Sequence, residues 1–329
     1  MASLLEVTDL AVTVHRVGRA VDAVDLEVGA GEMVGLVGES GCGKTLTAYS
    51  LLGLLPDGIG SSGALRFEDR EYDLARQGST RELRGGAIAM VSQDPLTALN
   101  PVMRIGSQIE DVMRTHLDLS RAQRKARVLE LLDRVGISAP RRVAQSYPFE
   151  LSGGMRQRAL IAMAISCHPR LLIADEPTTA LDSTVQAQIM ELLATLVAEE
   201  NLAMLLITHD LGLVSQYCSR VCVMYAGQII EEGGAAAVLE EARHPYTRAL
   251  VDCLTSLESG TGRLATIEGV VPAVGGVSQG CRFADRCKHV QQRCREIRPN
   301  LSLLSVDRSA ACLRVDELGP GQSTMEVDR

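Results

Sequence analysis

Residues Gly38–Thr45 read GESGCGKT, with glycines at 38, 41 and 43 ahead of Lys44 and Thr45. This spacing fits a phosphate loop, because bare glycines let successive backbone N–H groups turn inward around an anion. The required flanks are present. Met33–Val37 is a short apolar run of buried-strand type, and a helical pattern over Lys44–Leu54 follows, closed by Pro56 and Gly58. A helix start at Lys44 adds a positive dipole end. On this reading Gly38, Glu39, Ser40, Gly41, Cys42 and Gly43 wrap the phosphates of a nucleotide. Lys44 pairs with the β- and γ-phosphates, and the Thr45 hydroxyl ligates Mg²⁺. Cys42 reads as a small filler, since a reactive thiol needs an environment that favours the thiolate.

Carboxylates supply the next chemistry. In RLLIADEPTTALD, Leu171–Ala174 forms an apolar strand, so Asp175 emerges at its carboxyl end, where P-loop proteins hold the magnesium shell. Strand alternation aims Glu176 elsewhere, as a group that orients and polarises an attacking water. A further strand, Met204–Ile207, ends in His209. At Ser152, Gly153 and Gly154 a hydroxyl and bare backbone donors open a helix running to Ile165, a second phosphate receptor at a positive helix end.

The elements that carry these groups alternate. Leu4–Val14 and Val21–Val28 read as strands, as do Leu65–Phe67, Ile88–Val91, Val221–Tyr225 and Gln228–Glu231. Residues 105–135 turn helical, and Val185, Ile189, Leu192, Leu193 and Leu196 mark one face of another helix. Continuous apolar strands between helices predict an α/β fold with a largely parallel sheet covered on both faces. The chain has 329 residues with no Trp, three Phe and six Tyr, so its core is expected to be aliphatic. A formal charge of −8 argues against a general nucleic-acid binder. No apolar run reaches membrane-span length, and the N-terminus shows no secretory pattern, so a cytosolic protein is expected.

The segment SYPFELSGGMRQRALIAMAI at 146–165 resembles the ABC ATPase family, whose diagnostic pentapeptide stands here as LSGGM, Leu151–Met155. The resemblance implies a P-loop ABC cassette: a parallel-sheet core, an antiparallel β subdomain and a helical subdomain at about 105–160. It also implies a head-to-tail dimer in which Ser152, Gly153 and Gly154 cap the ATP of the partner, with Asp182 at the seam. Gln93, in VSQDP, matches the residue that senses the γ-phosphate and Mg²⁺, and His209 matches the switch histidine. The family often stacks adenine on an aromatic residue between the first two strands. Here His15 is the nearest planar group, and Val14 is the alternative.

Longer stretches narrow the resemblance. QDPLTALNPVMRIGSQI, YPFELSGGMRQR and HPYTRAL are similar to the dipeptide/oligopeptide (peptide/nickel) importer ATPases, and Met155 to their D-type subunit. This implies an ATP-hydrolysing type I import motor on the cytoplasmic face of the membrane. Its partners would be a second ATPase (an F-type subunit, or a second copy), two permease subunits and an extracytoplasmic binding protein. The expected solute is a di- or oligopeptide, with nickel, glutathione or another small nutrient as the alternative. A soluble, non-transport ABC ATPase is the alternative from another class.

Four of the nine cysteines crowd the C-terminal end: Cys281, Cys287, Cys294 and Cys312, spaced x5, x6 and x17. They belong to an expected extension, residues 258–329, beyond a cassette of 1–257, with a linker expected around Gly260. Residues 281–314 hold eight Lys or Arg against three acids, charge that offsets a thiolate-ligated centre. The family resemblance implies a [4Fe-4S] cluster there. Zinc stays open, although no C-x-x-C knuckle occurs, and so does the absence of any metal.

Overall fold

The computed structural model describes residues 3–179, 181–258, 266–276 and 279–320. The expected linker at Gly260 lies outside them. In chain order the elements begin with β1 (Ser3–Val14), β2 (Gly18–Gly29), β3 (Met33–Val37), α1 (Lys44–Leu51), β4 (Ile59–Phe67), β5 (Arg70–Asp73) and β6 (Ile88–Val91). Next come α2 (Pro95–Ala98), α3 (Ile105–His116), α4 (Arg121–Arg134), α5 (Pro140–Gln145), α6 (Gly153–Ala164), β7 (Leu171–Asp175), α7 (Ser183–Glu200) and β8 (Ala203–Thr208). The chain continues with α8 (Leu211–Tyr217), β9 (Arg220–Tyr225), β10 (Gln228–Gly234), α9 (Ala235–Glu240) and α10 (Pro245–Glu258). It finishes with α11 (Gln292–Glu296), β11 (Ser302–Ser305), β12 (Arg308–Ala310) and α12 (Val315–Leu318).

Contacts divide the chain into two compact units, one of Gly29–Glu32 and Thr80–Leu206, the other of Ser3–Val28, Met33–Ser79 and the chain from Ile207 onward. In the first unit β6 and β7 pair in parallel, Ile88 opposite Leu171 and Val91 opposite Ala174, with β8 beside β7. Every residue of β7 is buried, as a strand covered on both faces requires. The helices α3 to α6 form the helical part, α3 burying Ile105, Ile109 and Met113, and α4 burying Val128, Leu131 and Leu132. The helical stretch expected over 105–135 is two helices. Leu117 leaves the helix with an extended backbone, and Ser120 restarts it through a capping box with Gln123.

The second unit holds two sheets. One is antiparallel, in the order β2-β1-β4-β5, with Leu5 opposite Phe67 and an irregularity between Thr8 and Ala11. Its strand β4 begins at Ile59, six residues before the Leu65–Phe67 segment expected from the sequence, because pairing with β1 carries the small residues of IGSSGA into the sheet. In the other sheet β3 pairs in parallel with β9, and β9 turns through Ala226 and Gly227 into antiparallel β10. The C-terminal strands continue that sheet, β12 on β10 and β11 on β12.

A buried carboxylate joins β12 to β10. Glu231 is fully buried; its Oε1 accepts from Arg308 Nη2 at 3.0 Å and from Arg243 N at 2.8 Å, and its Oε2 accepts from His244 N at 2.8 Å. A charge at this depth is tolerated because it is both paired and hydrogen-bonded.

Candidate nucleotide site and cysteine cavity

The phosphate loop leaves β3 as expected. Gly38 packs so closely that a Cβ there would lie 2.1 Å from Met224 O, and Gly43 takes φ 111° immediately before α1. Both positions therefore demand glycine. Lys44 is buried, and its Nζ donates to Gly38 O at 2.7 Å and to Glu39 O at 3.1 Å. Ser40, Gly41 and Thr45 are exposed at the mouth of the loop. Cys42 is buried under it, and burial pushes its thiol above the ordinary range, with Lys44 opposing. That is the environment of a filler rather than of a thiolate nucleophile. His15 sits exposed in the turn after β1, its N–H bonded to Gly58 O at 2.9 Å. His209 is exposed directly after β8, and the next residue, Asp210, caps α8 by accepting from Gly212 N at 2.8 Å.

In the other unit, Asp175 is the last residue of β7 and is buried. Glu176 lies beyond the strand with φ 47°, so a left-handed kink aims its side chain, not the pleat alternation expected from the sequence. Its Oε2 accepts from Gln93 Nε2 at 3.0 Å and from Thr179 Oγ1 at 2.8 Å. Thr179 escaped the sequence reading; its signal is the i, i+3 spacing from Glu176 in EPTT. Ser152 caps α6, its Oγ accepting from Met155 N at 3.3 Å, while Gly153 and Gly154 open that helix. Asp182 caps α7 in the same manner, accepting from Val185 N at 3.0 Å.

Cys281, Cys287, Cys294 and Cys312 line one cavity, together with His244, Phe283, His289, Leu313 and Arg314. None is in a disulfide. Burial raises the thiols of Cys281, Cys287 and Cys312, Cys281 to about 11, and the neighbouring cysteines push the same way. Arg314 N lies 3.4 Å from Cys312 Sγ. Soft donors on one cavity beside a cation suit a thiolate-ligated centre. Among the described residues, however, no three His, Cys, Asp or Glu gather closely enough to hold a single metal ion.

A glycine loop between a buried strand and a helix, an acidic strand end, and a serine-capped Gly-Gly helix are the parts of a nucleotide-binding cassette. Comparison with known proteins agrees. The ABC transporter family matches residues 21–179, and the oligopeptide/dipeptide transporter C-terminal region matches 230–294. The chain is 46% identical to a probable peptide ABC transporter ATP-binding protein, y4tR, of Sinorhizobium fredii, over 96% of each chain. It is 45% identical to the dipeptide transport ATP-binding protein DppD of Escherichia coli, over 89% of this chain and 90% of that one. Among solved structures, cbiO1 of Clostridium perfringens, part of the ABC transporter complex cbiONQ, superposes with a TM-score of 0.62 at 28% identity, covering 72% of this chain and 91% of that one. The chain belongs to the ATP-binding subunits of the ABC transporter family.

Proposed function

We propose that this chain is the ATP-hydrolysing motor subunit of a di- or oligopeptide importer. The observation that carries the reading is the pairing of a complete phosphate loop, Gly38–Thr45, with the C-terminal region that matches oligopeptide and dipeptide transporters. Lys44 and the loop amides bind the phosphates, while Thr45, Asp175 and Gln93 serve Mg²⁺. Glu176 orients the attacking water, and His209 contacts the γ-phosphate. His15 is the candidate adenine contact.

Ser152, Gly153 and Gly154, with Asp182, act across a head-to-tail dimer, so closing that dimer around ATP is the working step. The second ATPase is an F-type subunit, or a second copy of this chain. Among the described residues no helix is long and apolar enough to cross a membrane. Two permease subunits supply the path, and an extracytoplasmic binding protein supplies the solute. Residues 1–257 form the motor, and 258–329 form an extension whose four cysteines hold a [4Fe-4S] cluster. Four thiols lining one cavity support that cluster. When bound, it cross-links an extension too short to build a core of its own.

The test is reconstitution. The chain, co-expressed with its permeases and second ATPase, is expected to hydrolyse ATP and to drive uptake of labelled dipeptide into vesicles. A complex that hydrolyses ATP but moves nickel or glutathione instead redirects the solute. A chain that splits no ATP in any assembly sinks the motor.

A further inference from the structure

Arg286 lies immediately before Cys287, yet its guanidinium is spent on the phosphate loop. Its Nη1 donates to both carboxylate oxygens of Glu39, at 3.1 and 3.0 Å, and to Tyr225 Oη at 3.3 Å. Nε and Nη2 are fixed by Glu268 O at 2.9 Å and Ile267 O at 3.1 Å. The arginine side chain is 5% exposed, and Glu39 is 27% exposed, so this pair is partly shielded from solvent.

A second tie reaches the same loop residue. Glu39 N donates to Tyr246 Oη at 2.9 Å. Tyr246 packs against Tyr225 and Phe283, with ring centroids at 4.6 and 5.4 Å. Phe283 in turn lines the cysteine cavity. One loop residue is thus held through its carboxylate by Arg286 and through its amide by the aromatic cluster beneath.

Electrostatics gives this arrangement a direction. Glu39 places a negative charge in a loop whose task is to receive phosphates, and like charges repel. Arg286 cancels that charge and keeps the carboxylate turned onto the extension. We propose that Arg286 is a positioning residue for nucleotide binding, and that through it the four-cysteine extension sets the phosphate loop. This rests on the nucleotide-binding reading above and assigns the extension a role beyond its own stability.

Full-length protein decides the matter by equilibrium binding of a fluorescent ADP analogue and by ATPase kinetics. Arg286→Met keeps the bulk and removes the charge. It is expected to weaken ADP binding about tenfold, with KM for ATP rising in step and kcat within about twofold. Glu39→Gln is combined with it as a double variant, which removes the carboxylate that Arg286 holds. The double variant recovers most of the loss, because no uncompensated carboxylate faces the phosphates. Arg295→Ala, which removes a surface pair with Asp285, is the inert control.

A folded Arg286→Met variant with wild-type affinity overturns the proposal. So does a double variant as weak as Arg286→Met, which makes the arginine a scaffold only. Should Arg286→Met not fold, Arg286→Gln decides: it keeps hydrogen-bond donors but loses the charge, and unchanged affinity together with unchanged hydrogen exchange over residues 38–43 is the overturning result. A wild-type chain that binds no nucleotide overturns both readings; one that binds, with silent variants, overturns this one alone.

Discussion

Gln93 and Glu176 are directly joined, Gln93 Nε2 donating to Glu176 Oε2 across 3.0 Å, and Thr179 Oγ1 holds the same oxygen at 2.8 Å. The carboxylate proposed to orient water is therefore held by Gln93 and Thr179, on a backbone bent to φ 47°. Left-handed backbone at a non-glycine residue costs about 1 kcal/mol, and such outliers concentrate at functional sites. Replacement of Glu176 by Gln retains size and most hydrogen bonding while removing the carboxylate assigned to the attacking water. Turnover is expected to fall about 10³-fold with ATP binding intact. ATPase assays paired with size-exclusion chromatography in ATP check this, the variant running as a trapped dimer. Full activity in Glu176→Gln takes the residue out of its role.

Gln93→Ala tests the join itself. Thr179 still holds the shared oxygen, so Glu176 is loosened rather than freed. Loss of one hydrogen bond to a charged group predicts kcat down by about tenfold, with KM for ATP nearly unchanged. Loss of ATP binding instead would give Gln93 a binding role and no part in aligning Glu176.

The sequence legibility of this site was uneven, for physical reasons. The phosphate loop was readable because backbone geometry leaves no choice at Gly38 and Gly43. Strands β3, β6 and β7 were readable because strands covered on both faces are written as unbroken apolar runs. Strand β5, REYD, buries only Tyr72 and carries no such run; its pairing with β4 makes it a strand. Glu176 was placed by pleat alternation, whereas a single positive φ aims it, and Glu carries no propensity signal for that conformation. The grip of Arg286 on Glu39 spans 247 positions and follows no local spacing rule.

Glu231 gives a stability prediction independent of nucleotide. Its carboxylate is fully buried and shared by Arg308 Nη2 and the backbone amides of Arg243 and His244. Glu231→Gln keeps the shape but removes the buried partner charge of Arg308, leaving it only the more exposed Glu241 at 3.8 Å. Breaking one side of a buried pair typically costs about 3–5 kcal/mol. Urea unfolding should show a lower midpoint and an unfolding free energy reduced by about that amount, with α10 and β12 losing hydrogen-exchange protection first. An unchanged midpoint would mean that the backbone pairing of β10 with β12 suffices alone.

The cysteine cavity yields the last prediction. Cys281, Cys287, Cys294 and Cys312 converge there from loops and short elements with little apolar packing of their own, Leu303 and Val306 being exposed. An extension of this kind needs a staple, and free thiols do not provide one. Protein isolated without oxygen should be brown and contain iron and acid-labile sulfide in equal amounts. Cys287→Ser should bleach it and lower the melting temperature. Cys253→Ser changes a thiol that does not line the cavity, so it should leave colour and iron unaltered. Zinc in place of iron, with no colour, would keep the staple and change its chemistry. Metal-free wild-type protein that melts like Cys287→Ser would leave the extension held by Glu231 and Arg308, and by Arg282 and Arg298 on Asp22, with no contribution from the thiols.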